Sequence, residues 1–300
     1  MQTSISFALG LAPLGYPSKT FSIKVVDEAG KPMNAIPVKL DFILSIGTGN
    51  PQWKEMTAIT DSSGMATGSG QADEAGYKID LDGFYQSKGL KSLNDHGVTT
   101  AETVVKKRDN PKPMYAKNMS ATIPADGKTY SYDLMMGDWL PPLGHGVTPD
   151  FVFKGTAQWN SLSDYNQGLQ LSFSNLDDGI QAIAVNNDGS ALRLSKKAPT
   201  AGYVSQWAWR DADASKQDIS SMERTIGSRA FFFRVRSSRD AGGTIRAMYG
   251  KISHDVVFGF GSKRQDIYLR IDGYYLNPDG TTAMEFDVNK DLLLLKWPEL

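Results

Sequence analysis

The chain has no cysteine. That excludes disulfides, thiolate metal sites and cysteine nucleophiles, while leaving the redox compartment open. Histidine is almost as scarce, with three residues in 300, so a nucleophile–histidine–acid arrangement has few members to draw on. No apolar run approaches the ~18 residues needed to cross a bilayer as a helix. Neither sign of charge dominates: 32 Lys and Arg stand against 33 Asp and Glu. Such a balance argues against nucleic acid or an anionic membrane as a partner. Phosphate-cradling loops are missing too, because Gly47-Thr-Gly49 and Gly259-Phe-Gly261 lack the rest of either nucleotide pattern. There is no G-x-S-x-G elbow.

What the chain does have is period-two hydrophobicity broken by turn residues. Phe21, Ile23 and Val25 lead into the turn Asp27–Pro32, and Val38, Leu40, Phe42 and Leu44 alternate on the next run. Thr60–Gly64 is a second turn, and Tyr77, Ile79 and Leu81 follow. Later runs are Leu169/Leu171/Phe173, Phe231/Phe233/Val235, Val256/Phe258/Phe260 and Ile267/Leu269/Ile271. This spacing predicts an all-β protein. A length of 300 residues suggests two domains. The charged, proline-bearing stretch Lys106–Pro113 marks the boundary, giving 1–110 and 111–300. Pro111 and Pro113 argue against a central strand running through that junction.

The expected architecture is an N-terminal transthyretin/Ig-like β-sandwich, then a larger β-sandwich or jelly-roll domain with at most one or two short helices. One helix is expected around Ser215–Ile226, where Ser215 and Asp218 fit a capping box. Ile5, Phe7, Leu9 and Leu11 alternate, which predicts a strand over Thr3–Leu9 added to a sheet edge. With no basic residue before it and no small-x-small site after it, this start reads as part of the mature protein.

The first domain resembles the carboxypeptidase regulatory-like family, a transthyretin-type sandwich. The residues that carry the likeness are Val26–Pro32, Thr60–Gly64 and Lys78–Tyr85. The remainder is similar to a family of secreted bacterial proteins in which the same two parts occur together. There the likeness rests on Pro113–Lys117, Asp133–Trp139, Leu171–Ile180, Phe232–Arg236, Tyr249–Ile252, Tyr274–Pro278 and Glu285–Asp287. The resemblance implies export and a two-part β architecture, and no activity.

Candidate site residues are few. Trp207 and Trp209 lie two apart, so on a strand they share a face. Exposed, they form a stacking platform for sugar rings, with Gln206 or Arg210 beside them for hydroxyls; buried, they are core. The loop Gly137–Gly146 carries Trp139 and His145, with glycine on both sides of the histidine and Asp138 placed to orient it. A turn-closing role is the alternative. His96 and His254 read as structural. Carboxylate pairs at Asp73-Glu74, Asp80/Asp82, Asp177-Asp178 and Asp211/Asp213 match no calcium loop. They read as solvated turn residues, so no cofactor is expected, and calcium has no motif behind it. Arg224, Arg229, Arg234, Arg236 and Arg239 read as a solvated strand face.

The resulting expectation is a secreted, periplasmic or cell-surface bacterial protein that binds carbohydrate or protein without catalysis. Two alternatives stay open. One is a glycan-active hydrolase or lyase on a β-sandwich; the other is a structural subunit of an extracellular assembly that self-associates through strand edges.

Overall fold

Turn chemistry and alternation build the first unit. The computed structural model describes residues 17–45, 50–95, 97–161, 163–185, 188–212 and 229–294. Seven strands come first: β1 (Ser18–Val26), β2 (Pro37–Leu44), β3 (Gln52–Ile59), β4 (Met65–Gln71), β5 (Glu74–Ile79), β6 (Ser87–Ser92) and β7 (Val98–Val104). They form a three-stranded sheet, β4-β1-β7, and a four-stranded sheet, β3-β2-β5-β6. Phe21, Ile23 and Val25 from one sheet pack with Val38, Leu40, Phe42, Tyr77 and Ile79 from the other, so the period-two runs fix the inner faces.

The predicted turns close as their residues require. Asp27 Oδ1 accepts the N–H groups of Ala29 and Lys31, and Asp61 Oδ1 accepts those of Ser63 and Met65. Gly64 adopts φ +79°, and a Cβ there would lie 2.7 Å from the Val25 carbonyl oxygen. Gly64→Ala should therefore lower stability by about 1–3 kcal/mol, read as a drop in urea midpoint. An unchanged midpoint would show that the turn relaxes freely.

The chain returns to this unit at 188–192, a link that no local pattern in the sequence announces. Lys106 Nζ lies 2.6 Å from Asp188 Oδ2 and donates to the Leu192 carbonyl at 2.7 Å. The Lys88 N–H donates to the Gly189 carbonyl.

The second unit holds twelve strands among the described residues. They are β8 (Lys112–Pro124), β9 (Tyr130–Asp133), β10 (Asp138–Trp139), β11 (Phe151–Ser161), β12 (Asp164–Ser172), β13 (Gly179–Ala184), β14 (Gln206–Ala212), β15 (Arg229–Arg239), β16 (Ile245–Ile252), β17 (Val257–Phe260), β18 (Asp266–Asn277) and β19 (Phe286–Asp291). One sheet runs β10-β9-β11-β12-β14. The other runs β13-β15-β16-β18-β8-β19, with β17 paired to β18.

Phe151, Phe153, Leu169, Leu171 and Trp209 of the first sheet meet Phe231, Phe233, Ile267, Leu269 and Ile271 of the second. The larger sheet is covered on both faces. Ala230 and Phe232 point the other way, into a second cluster with Leu194, Tyr249 and Met284. That accounts for the unbroken Phe231-Phe232-Phe233, since a strand buried on both sides loses its alternation.

The protein is thus all-β, with no helix among the described residues. None of those residues forms a helix long and apolar enough to cross a membrane. One junction expectation needs correcting: Pro113 lies inside β8, not outside a strand. It is tolerated because pairing with β18 starts only at Tyr115. On the other edge β19 pairs with Lys112 and Met114 across an irregularity, so no partner asks Pro113 for an N–H. The expected strand at Thr3–Leu9, the expected helix at Ser215–Ile226 and His96 lie outside the described residues.

Candidate functional site

The loop between β9 and β11 shows what His145 does. Asp138 Oδ2 accepts the backbone N–H of His145 at 2.9 Å, and Asp138 Oδ1 accepts that of Trp139 at 2.8 Å. The imidazole itself is 97% exposed, its Nδ1 3.7 Å from Asp138, beyond hydrogen-bond range. So the carboxylate closes the loop, and the ring stands in solvent. An open cleft of about 480 Å³ passes this point, lined by Lys117, Met136, Asp138, Asp291 and Leu293 among others. Its polar groups serve backbone: Lys117 Nζ donates to the Gly137 carbonyl at 2.6 Å, and Asp291 accepts from the N–H groups of Ala116 and Leu293. Trp139 is 8% exposed and packs edge-on against Tyr132 at 5.3 Å, so it belongs to the core.

That loop is anchored by an arginine the sequence placed on a solvated face. Pairing between β15 and β16 slips between Val235 and Ser238, and at this bulge Arg236 adopts φ +55°. Its Nε and Nη2 donate to the two Asp150 oxygens at 2.8 Å each, and Nη2 also donates to Asp133 Oδ1 at 2.9 Å. Asp178, expected as a solvated turn residue, is buried and accepts the N–H groups of Arg236 and Ser237. Asp177 pairs with Arg239.

Burial pushes Asp133 up, but the N–H groups of Thr148, Met136 and Val147, with Arg236, more than offset it and leave it lowered. Burial raises Asp150 against the pull of Arg236, while the Asp150 hydrogen bond raises Arg236. These directions oppose each other on one ion pair. The bidentate geometry favours the charged form, and we take the pair as ionised.

A folded Asp133 below its unfolded value of about 3.9 stabilises fully above that pH and loses the contribution as pH falls through its folded value. Asp133→Asn should therefore be less stable than the parent at pH 7, with the gap closing below about pH 4. Denaturation midpoints across that range check it; a gap constant with pH would contradict it.

The tryptophan pair faces the core. Trp209 is 3% exposed and donates from Nε1 to Asp255 Oδ1 at 2.9 Å, and Asp255 also accepts from Arg229 Nε. Trp207 is partly buried, with its ring 5.7 Å from that of Phe231. A stacking platform on this face is thereby corrected, because both rings fill the space between the sheets. Among the described residues the tryptophan with an open ring is Trp53 on β3, at 68% exposure, which the sequence reading passed over. Trp159, Tyr165 and Phe260 form an aromatic trio with Arg264 over the Trp159 ring at 3.9 Å, a grouping that spacing along the sequence does not announce.

Gln206 and Arg210 alternate with the tryptophans and so project from the opposite, outer face. Register places them in rows. Lys154 aligns with Gln170 and Ala208, Thr156 with Gly168 and Arg210, and Val152 with Ser172 and Gln206. Between them lies a shallow dish of about 180 Å³. Gly168 forms its floor; a Cβ there would stand 2.8 Å from Thr156 Oγ1. Gln170 Nε2 donates to Gln206 Oε1 at 3.0 Å. Neither Lys154 nor Arg210 has an ion-pair partner among the described residues. Asp164, the carboxylate of this face, lies at the hairpin end, four residues along the strand (roughly 13 Å) from Gly168, and accepts from Asn160.

Among the described residues no three histidine, aspartate or glutamate side chains converge as metal ligands.

No protein-family model matches this chain, and no curated protein does. Solved structures give distant likenesses. A DUF3823 family protein from Parabacteroides merdae is 10% identical over 85% of this chain and 99% of that one, with a TM-score of 0.21. A candidate carbohydrate binding protein from Bacteroides uniformis is 13% identical over 84% and 96%, with a TM-score of 0.21. BcpA, the major pilin subunit of Bacillus cereus, is 11% identical over 90% and 99%, with a TM-score of 0.23. At such scores the likenesses carry no argument about what this chain does.

Proposed function

We propose that this is a secreted or cell-surface bacterial protein that binds carbohydrate without transforming it, through the outer face of the β11-β12-β14 sheet. The observation that carries the reading is the dish over Gly168. Its walls are Thr156, Gln170, Lys154 and Arg210, with Gln206 one row away. Hydroxyl, amide and cationic side chains together supply donors and acceptors for vicinal hydroxyl groups. The face carries no aromatic ring and one branched apolar residue, Val152, whereas protein interfaces concentrate aromatic residues and deplete charge at their centre.

A glycan array tests it, with the parent expected to bind and Gln170→Ala/Arg210→Ala expected to lose at least tenfold. A tenfold loss corresponds to about 1.4 kcal/mol, within reach of one hydrogen bond to a charged group. A silent array, or full binding by the double variant, contradicts the assignment.

One observation favours a second reading, a subunit joined to others through a strand edge. Strand β3 is a sheet edge and bears exposed Trp53 and Ile59. Lys54 and Glu55 on the same strand blunt that edge.

A further inference from the structure

We infer that the dish over Gly168 takes an acidic saccharide, an oligomer carrying uronic-acid carboxylates, in preference to a neutral one. The inference rests on the carbohydrate reading and adds a charge class to it. Two cations border the dish, and neither is neutralised by a carboxylate among the described residues. Four other cations of this unit do meet carboxylates: Arg236 with Asp133 and Asp150, Arg239 with Asp177, Arg229 with Asp255, and Lys196 with Asp109.

Register sets the spacing. Lys154 and Arg210 stand on strands either side of β12 and one alternate position apart along it. Strand separation and rise then put their Cα atoms roughly 12 Å apart. An oligosaccharide spans that distance and offers a carboxylate to each head. Arg210 presents a planar fork that matches a carboxylate, and Lys154 supplies a point charge. Thr156, Gln170 and Gln206 are left to bond hydroxyls along the chain.

Titration calorimetry separates the possibilities, using a hexamer of galacturonic acid, its fully methyl-esterified neutral form and a hexaglutamate peptide. The acid hexamer should bind at least tenfold more tightly than the ester, and the advantage should shrink between 50 and 500 mM salt, as the screening length falls from about 14 to about 4 Å. Lys154→Gln/Arg210→Gln should erase the advantage, so that this variant binds the acid hexamer and the ester within about twofold of each other. Lys263→Gln, an exposed lysine in the turn between β17 and β18 and outside the dish lining, should change neither affinity. Equal binding of acid and ester, or an advantage that survives the double variant, overturns the inference while the carbohydrate reading stands. Tighter binding of hexaglutamate than of the acid hexamer overturns it in favour of an acidic peptide. Binding of none of the three, combined with a silent glycan array, overturns both.

Discussion

Arg236→Met should cost about 3–5 kcal/mol, the largest loss expected from any single change to a charged residue here, because it strands the Asp150 carboxylate in the interior. Asp150 is 1% exposed at its side chain and Asp133 is 3%, and Arg236 is the cation that reaches both. The change also removes what holds the β9–β11 loop, since Asp150 accepts the Leu134 N–H and Asp133 accepts those of Val147 and Thr148. Chemical denaturation followed by tryptophan fluorescence reads the effect. Arg239→Ala is the control. Its partner Asp177 lies nearer the surface and Arg239 is 55% exposed, so breaking that pair should cost about 0–1 kcal/mol. Equal losses for the two variants would show that burial of the carboxylates does not govern the energetics.

Gly250→Ala should be nearly as damaging. A Cβ at Gly250 would lie 2.1 Å from Phe233 Cζ and 2.7 Å from the Tyr275 carbonyl oxygen. Phe233 is wholly buried and packs 4.9 Å from Phe151 between the sheets, so it has no free direction in which to yield. Overpacking of this kind costs about 1–3 kcal/mol and occasionally more; with a backbone oxygen as second neighbour, the upper end is expected. Phe233→Leu in the same chain should recover part of the loss, and the pair should be strongly non-additive. Additive losses would place the strain elsewhere than at the Phe233 ring.

The fold was legible where local chemistry decides it. Phe21, Ile23 and Val25 and their partners Val38, Leu40 and Phe42 alternate because one face of each strand is buried. Asp27 and Asp61 mark turns because their carboxylates bond N–H groups two and four residues on. The alternatives left open for Trp207 and Trp209 turn on which sheet face is inner, and spacing alone does not say. Once Leu169 and Leu171 align with Trp209 and Trp207, the pair belongs to the core.

Arg236 was misread for a different reason. Its placement depends on a bulge that breaks period two, so the arginine turns inward where alternation assigns it to solvent. The dish was invisible because Thr156, Gly168 and Gln170 read as ordinary polar strand residues. Only the pairing of three strands sets them beside Lys154 and Arg210. Gln206 and Arg210 were singled out for their neighbours, yet they lie on the opposite face from the tryptophans they were meant to serve.

The most direct test of the account is amide chemical-shift mapping of the isotope-labelled protein titrated with the galacturonic acid hexamer. The account predicts perturbations at Lys154, Thr156, Gly168, Gln170, Ala208 and Arg210, with little change at His145 or Trp53. Perturbations centred on the cleft beside His145, or on Trp53, with the Gly168 amide unmoved, would contradict it.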